Sequence, residues 1–511
     1  MKVWHWGITK SRAGMSAVRL ATVVSLISTS TAAILLGSTG VAQATPTVVC
    51  TWTNASGTPD ISIADNWSPN AGQSCGGTST STGTATLSGA QLVFPATIPT
   101  GGGSPSLDQS ESVDDVVFDN GYTIGAGGGT LTLTPSGGYG LTDNANSVVQ
   151  SPVALGNSQV WQAYGGGDLA VTGVISGGFS LTAGTPGTGT GIVNLSAVNT
   201  FTGSTTAQAG TLQVGGGSLS SGAVSISDGA TLEFETPSAT TFSNTLTMGS
   251  SHGGATMENG SPFLVTWSGN VSLIGGISNT INGLDGGLSI TGAISGTALL
   301  DAAPLKSESG VANSLSLSGA NSYAGGTTVS SGTLVLGAAN SVPGALNVDS
   351  GAAFDLAGYA DSVTSISGAG TITDSGAAAT LTDTQTTSTT FSGNITGAVA
   401  LNMDGSGGEL YILGGSADSY TGGTTVTAGE LMDGAPADGF GTGAITVDDN
   451  ATLGIGGGIG GTFPNALTLG SSAGGATLSN TFDSTWNGSV TLVGTSDTLG
   501  TANPLTVSGV I

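Results

Sequence analysis

Few side chains in this chain could do acid–base or nucleophilic chemistry. Beyond residue 44 there is one histidine, His252, and one cation, Lys306. A Ser-His-Asp triad would have to use His252 to take the hydroxyl proton. No Gly-Asp-Ser-Gly type nucleophile motif accompanies it, and a near-identical later segment carries Ala473 at the same place. A position that accepts His or Ala reads as an exposed turn. A lyase of the pectate kind needs an Arg or Lys base beside calcium-binding carboxylates, and Lys306 stands alone. Two Asp residues serving as acid and base remain as an arrangement for hydrolysis. The adjacent pairs Asp114-Asp115 and Asp448-Asp449 are its candidates. Yet Asp448-Asp449 sits where sister segments read Ser227-Asp228 and Asp349-Ser350, which is the residue usage of a turn. Cys50 and Cys75 are the only cysteines. Two thiolates with no nearby His do not complete a zinc site. No complete calcium-binding loop and no phosphate-binding Gly-Lys-Ser/Thr loop is present. The expectation is a chain with no catalytic, metal or cofactor residues.

The elements that would position any such group are repeated. A tetrad recurs at Gly203-Ser204-Thr205-Thr206, Gly325-Gly326-Thr327-Thr328 and Gly422-Gly423-Thr424-Thr425, each two residues after Phe201, Tyr323 or Tyr420. At one fixed distance beyond each follow Gly210, Gly332 and Gly429, and then Leu212, Leu334 and Leu431. Further on, the stretches AVSISDGATLEF, ALNVDSGAAFDL and AITVDDNATLGI alternate apolar residues on either side of a short turn. Period two marks strands with one buried face. The third turn position is Gly229, Gly351 or Asn450, the types that enter the left-handed region most cheaply. The spacing from Leu212 to Leu232 equals that from Leu334 to Phe354 and suits one coil of a solenoid. Expected inward positions include Val214, Val224, Ile226, Leu336, Val348 and Leu453, besides those leucines. A longer repeat encloses the short one: NTLTMGSSHGGAT returns as NALTLGSSAGGAT, and Trp267 as Trp486.

The aromatic, Gly-Gly-Thr-Thr and Ala-Gly-Thr-Leu pattern resembles the autotransporter-associated β-strand repeat, also called the passenger-associated transport repeat. Residues 193–215 and 314–337 carry it well. In 410–434, Glu430 and Asp433 replace expected Thr and apolar positions. With their flanks, the similar segments run over about 165–511. The resemblance implies an all-β, right-handed parallel β-helix passenger, exported and displayed at a bacterial surface. It says nearly nothing about activity.

Composition supports a packed array: Gly 90 of 511 and only 7% charged residues, but 38% hydrophobic. Lys2, Lys10, Arg12 and Arg19 precede the apolar run from Leu20 to Leu36, and Ala42-Gln43-Ala44 supplies a cleavage site, so 1–44 reads as a signal peptide. Its removal leaves Lys306 against 31 acidic residues, a formal charge of −30. Such a surface repels phosphate backbones and anionic lipids, which argues against nucleic-acid and membrane-surface partners. In an exported chain Cys50 and Cys75 are expected to pair as a disulfide. Trp52, the Asp65-Asn66-Trp67 run and Leu92-Val93-Phe94 surround them, and residues 45–125 read as a small N-terminal β cap over solenoid repeats at 126–511.

Two function classes follow. The first is a structural or adhesin-like surface passenger without catalysis, whose partners are host or cell-surface glycans or proteins, or further copies of itself. The second is a carbohydrate-active β-helix hydrolase using paired carboxylates. Three or more carboxylates in one groove would favour the second, and acids scattered on turns the first. At about 22 residues per coil, about 21 coils are expected. The copy of Leu288–Ile294 at the C-terminus stops in mid-unit at Ile511. The expectation is a chain continued by further repeats and by an anchor or translocator outside it, its last coil prone to associate end to end.

Overall fold

The computed structural model describes residues 48–71, 73–75, 87–216, 219–251, 254–283, 286–304, 314–413, 418–434, 439–456, 461–472, 474–500 and 502–511. The signal segment, His252 and Lys306 lie outside the described residues. Short strands stack coil on coil into an all-β parallel solenoid of about 18 turns with almost no helix. At about 4.8 Å per turn the stack is on the order of 85 Å long. The expectation of about 21 turns assumed a uniform coil, and the coils are uneven. Thr205 stacks directly on Val224, whereas Leu300 reaches Thr327 before the same sheet is met again.

The alternation read from the sequence is the stacking of the structure. Leu212 and Val214 pair in register with Leu232 and Phe234, Leu334 pairs with Phe354, and Leu431 with Leu453. All are buried, as are Val224, Ile226, Leu336 and Val348. Each such side chain removed from water contributes about 1.5–3 kcal/mol before entropy is counted. The long repeat is visible in the same core. Trp267 lies against Phe242 with centroids 5.8 Å apart, and Trp486 against Phe463 at 5.2 Å, both stacked. Gly229, Gly351 and Asn450 have φ of 72°, 87° and 66°, which is why only small or Asn side chains occur there.

The aromatic before the tetrad is tied to it. The Tyr323 hydroxyl hydrogen-bonds the Thr327 hydroxyl at 2.6 Å, and Tyr420 bonds Thr424 at 2.7 Å, all four buried. Phe201 has no hydroxyl, and Thr205 bonds Ser220 instead at 3.0 Å. The first Thr of each Thr-Thr pair thus points inward and needs a polar partner in the core. Tyr323→Phe removes that partner and is expected to lower stability by about 1–2 kcal/mol. Urea unfolding of the variant beside Phe201→Leu, where no such bond exists, checks the polar contribution.

At the N-terminal end, β1 (Val48–Trp52) pairs antiparallel with β2 (Trp67–Pro69) and parallel with β3 (Ala90–Phe94). Among the described strands the β1–β2 ladder is the one antiparallel pairing, so β2 covers the outer edge of β1. Trp52, Trp67 and Phe94 form a buried aromatic cluster, with Trp52 and Trp67 edge-on at 5.1 Å. Cys50 and Cys75, both buried, are joined with their Cα atoms 5.7 Å apart.

Candidate functional surface

The candidate pairs of carboxylates do not converge on any common point. Asp114 accepts from the backbone N–H (2.6 Å) and hydroxyl (3.1 Å) of Ser136, one coil onward. Its neighbour Asp115 accepts from Gln91 Nε2 at 2.8 Å, one coil back. Burial lifts the Asp115 carboxyl to about 6, with the Gln91 bond opposing. Asp449 takes the backbone N–H groups of Ser471 (2.9 Å) and Gly474 (3.2 Å) and the Ser472 hydroxyl (2.9 Å). The Ser471 N–H first, and the other donors with it, hold that carboxyl down to about 2. Asp228 does the same one long repeat earlier, with the N–H groups of Ser250 (2.6 Å) and Ser251 (3.0 Å). Asp355 repeats the arrangement on Ser375. These acids are clasps between successive turns, satisfying backbone donors that no strand ladder uses.

Carboxylates do come near one another elsewhere, as Asp60 does to Glu111 and Asp168 to Asp143, and at two further places they line the outer surface in a way that the spacing of residues along the chain does not reveal. On the outward face of one sheet Asn194, Gln213, Glu233, Glu258 and Asn282 lie in register on successive coils. Gln213 Nε2 donates to Glu233 at 3.0 Å, so amides interleave the acids. Burial raises the Glu258 carboxyl, followed by repulsion from Glu233, with Glu235 adding to it. This is a flat ladder and not a groove. Farther along, Glu409 and Glu430 stack on adjacent coils beside a 330 Å³ depression lined by Ser388, Ser406, Gly408 and Thr452. Burial and then the neighbouring Glu409 raise Glu430.

Two runs of hydroxyls line the outward sheet faces. Thr182, Thr206, Ser225, Thr247, Ser272 and Ser295 make one continuous outward ladder. Thr211, Thr231, Thr256 and Thr280 make another. A cavity of 480 Å³ opens at the turns beside this region, lined by Thr190, Gln208, Ser227, Asp228 and Ser250 among others. Trp52 and Trp67 are 1% and 5% exposed and give their Nε1–H groups to the carbonyls of Gly102 and Ile61, so neither offers a stacking face to a sugar. Among the described residues no three His, Cys, Asp or Glu are placed to hold a metal ion, and no helix is long and apolar enough to cross a membrane.

The structure adds one more part to the repeat. Two residues before each aromatic stand Asn199, Asn321 and Asp418, and each accepts a backbone N–H from the previous coil, of Ile175 (3.0 Å), Ile294 (2.8 Å) and Ile395 (2.6 Å). Its signal in the sequence is an Asx at constant spacing from the aromatic.

Known proteins share this architecture's repeat. The model of the passenger-associated-transport-repeat family matches residues 188–214, 312–351 and 406–432. Those segments hold the three aromatic–threonine units, and the chain carries passenger-associated transport repeats. It is also 33% identical over 254 residues to the adhesin BmaC autotransporter of Brucella suis biovar 1 (strain 1330), an alignment taking in 45% of this chain and 7% of that protein. The matched part is therefore a small fraction of the relative's length. No solved structure matches the chain.

Proposed function

We propose that this chain is a structural, adhesin-like passenger segment, exported by its N-terminal signal and displayed at a bacterial cell surface. The observation that carries the reading is the disposition of its polar groups. Acids are used as clasps between turns, and the long sheet faces offer repeated hydroxyls instead of a convergent site. The repeat family and the adhesin relative agree with it. In this reading the solenoid is both stalk and display surface, and its partners are surface glycans or proteins. The segment 45–125 acts as the cap that closes the first coil. Surface display is tested by protease shaving and antibody labelling of intact cells expressing the full gene. Retention inside the cell would sink it. Incubating the purified chain with a panel of polysaccharides separates the hydrolase alternative, which requires product release that Asp448→Asn with Asp449→Asn abolishes.

The Cys50–Cys75 bridge in this reading serves the cap alone. A loop of 25 residues contributes on the order of 3 kcal/mol by the chain-entropy model. Reduction, or Cys50→Ser with Cys75→Ser, is expected to open the N-terminal region to limited proteolysis while the β circular-dichroism signal of the shaft persists. Thiol labelling of native unreduced protein at both positions would overturn the pairing.

A further inference from the structure

The fourth residue of the four-residue strands points into the solenoid at a corner of the coil. Phe234 and Leu336 fill it with apolar bulk. In the strands Thr256–Asn259 and Thr477–Asn480 it is asparagine, buried in both. Asn259 Oδ1 accepts the N–H of Ser261 at 3.1 Å, and its Nδ2 donates to the carbonyls of Phe263 (2.9 Å) and Gly287 (2.7 Å). Asn480 Nδ2 likewise donates to Phe482 (3.0 Å) and Asn503 (2.9 Å). One amide thereby ties the strand end to its own loop and to the following coil.

The strand Thr380–Asp383 places an acid at this corner, stacked between Val363 and Met403. Asp383 is fully buried, and its Oδ1 accepts the N–H of Gln385 at 3.0 Å, the same bond two residues onward that Asn259 makes. Its other oxygen takes the place of the amide donor and is buried with no bond of normal geometry, although the Ile366 N–H on the neighbouring coil is near enough to lower the carboxyl's pKa. Gln385 is buried too. Its Oε1 accepts from the Thr389 hydroxyl at 2.5 Å, while its Nε2 has no partner. The described residues contain no Lys, Arg or His to neutralise a charge here. On the strands packed against Asp383 the titratable groups are Asp361, and Asp404, Glu409 and Tyr411 of the strand Ala400–Ile412, Glu409 and Tyr411 lying six and eight residues beyond its partner Met403. Asp361 already accepts the N–H groups of Val342 (3.1 Å) and Ser362 (2.8 Å), and Asp404 is exposed.

We propose that Asp383 is a proton-operated latch of this coil. Carrying a proton, its free oxygen donates to a loop carbonyl as the asparagine amides do at the sister corners, Thr387 standing at the offset from Asp383 that Phe263 has from Asn259. Losing the proton to solvent, it becomes a carboxylate buried with no cation beside it, and the corner loosens. Burial pushes the group to about 7, which puts the change within reach of ordinary surroundings. The loop it holds also shapes the Glu409–Glu430 depression. Ser388 lines that depression, and Gly408 lies so close to Thr387 that a Cβ there would stand 2.5 Å from its carbonyl carbon. Acid therefore closes this stretch of the surface and alkali opens it.

The test compares the parent chain with Asp383→Asn, and with Asp449→Asn as an exposed control, at pH 5 and pH 8. Asparagine supplies the donor at every pH. Between pH 5 and pH 8 the parent is expected to lose about 2–4 °C more in melting temperature than Asp383→Asn. Amides of 384–412 should exchange faster in the parent than in the variant at pH 8, once intrinsic rates are corrected, and equally at pH 5. Equal pH responses, or a variant less protected at both, would overturn the latch. Should the variant fail to fold, the carboxyl carbon of Asp383 in the parent decides by NMR. A midpoint near 7 supports the latch and one below 5 refutes it.

Discussion

The unfolding midpoint of this protein is expected to peak near pH 4–5 and to fall steadily as the pH rises to 8. Five carboxyls that are at most 9% exposed are raised chiefly by burial, Glu111, Asp361 and Asp383 to about 7 and Asp115 and Asp143 to about 6. Their unfolded values lie near 3.8 for Asp and 4.5 for Glu. Between those values and the raised ones the folded chain binds more protons than the unfolded chain, so stability decreases with increasing pH in that window. The clasps work the other way. Asp449, held at about 2, gives stability that is present above pH 3.8 and lost as the pH falls toward 2. The two slopes leave the maximum between them. Each tenfold gain in a carboxyl's proton affinity on folding corresponds to about 1.4 kcal/mol, so the buried set is expected to cost on the order of 5 kcal/mol or more between pH 5 and 8. Self-repulsion of a chain with 31 acids adds to the same slope, but salt screens it whereas the buried part persists. Urea midpoints from pH 3 to 9, at low salt and in 1 M NaCl, check both. A midpoint flat from pH 5 to 8 in high salt would sink the buried-proton account.

The shaft was legible because its constraints are local and periodic. A Leu two residues after a glycine, on alternating positions, carries the register of Leu212 on Leu232 and of Leu334 on Phe354 in the sequence itself. The positive φ at Gly229, Gly351 and Asn450 followed from their residue types alone. The polar interior was harder. Strand parity already places Asp383 on the same face as Leu381, but an acid in a Thr-rich stretch reads as a turn residue when charge is weighed above parity. The bonds from Asn199, Asn321 and Asp418 cross from one coil to the previous one, and spacing along the chain does not reveal what lies on top of what. The Glu409–Glu430 contact has the same cause. A strand of 13 residues, Ala400–Ile412, beside one of 10, Thr424–Asp433, brings the two together through a break in register that the repeat pattern does not carry.

Gly332→Ala is expected to be among the most damaging single changes in the chain, although it adds one methyl group. Gly332 has φ 58°, and a Cβ there would stand 1.8 Å from the carbonyl oxygen of Pro304 on the neighbouring coil. The same holds in the other two repeats. At Gly210 a Cβ would meet the oxygen of Gly191 at 2.4 Å, and at Gly429 that of Gly405 at 2.3 Å. Backbone on backbone cannot yield as the end of a flexible side chain can. The coils must separate locally or the turn must leave the left-handed region. Left-handed strain contributes about 1–3 kcal/mol and overpacking a further 1–3 kcal/mol, about 2–6 kcal/mol together. Gly351 isolates the first part, since its φ is 87° but nothing lies within 4 Å of a Cβ. Its counterpart Asn450 already bears a side chain at φ 66°, so Gly351→Asn should be close to neutral and Gly351→Ala should cost only the strain. Melting of the three variants orders the two effects. If Gly332→Ala melts with Gly351→Ala, the tight seating of one coil on the next is not what fixes this glycine, and the fixed spacing from tetrad to glycine needs another cause.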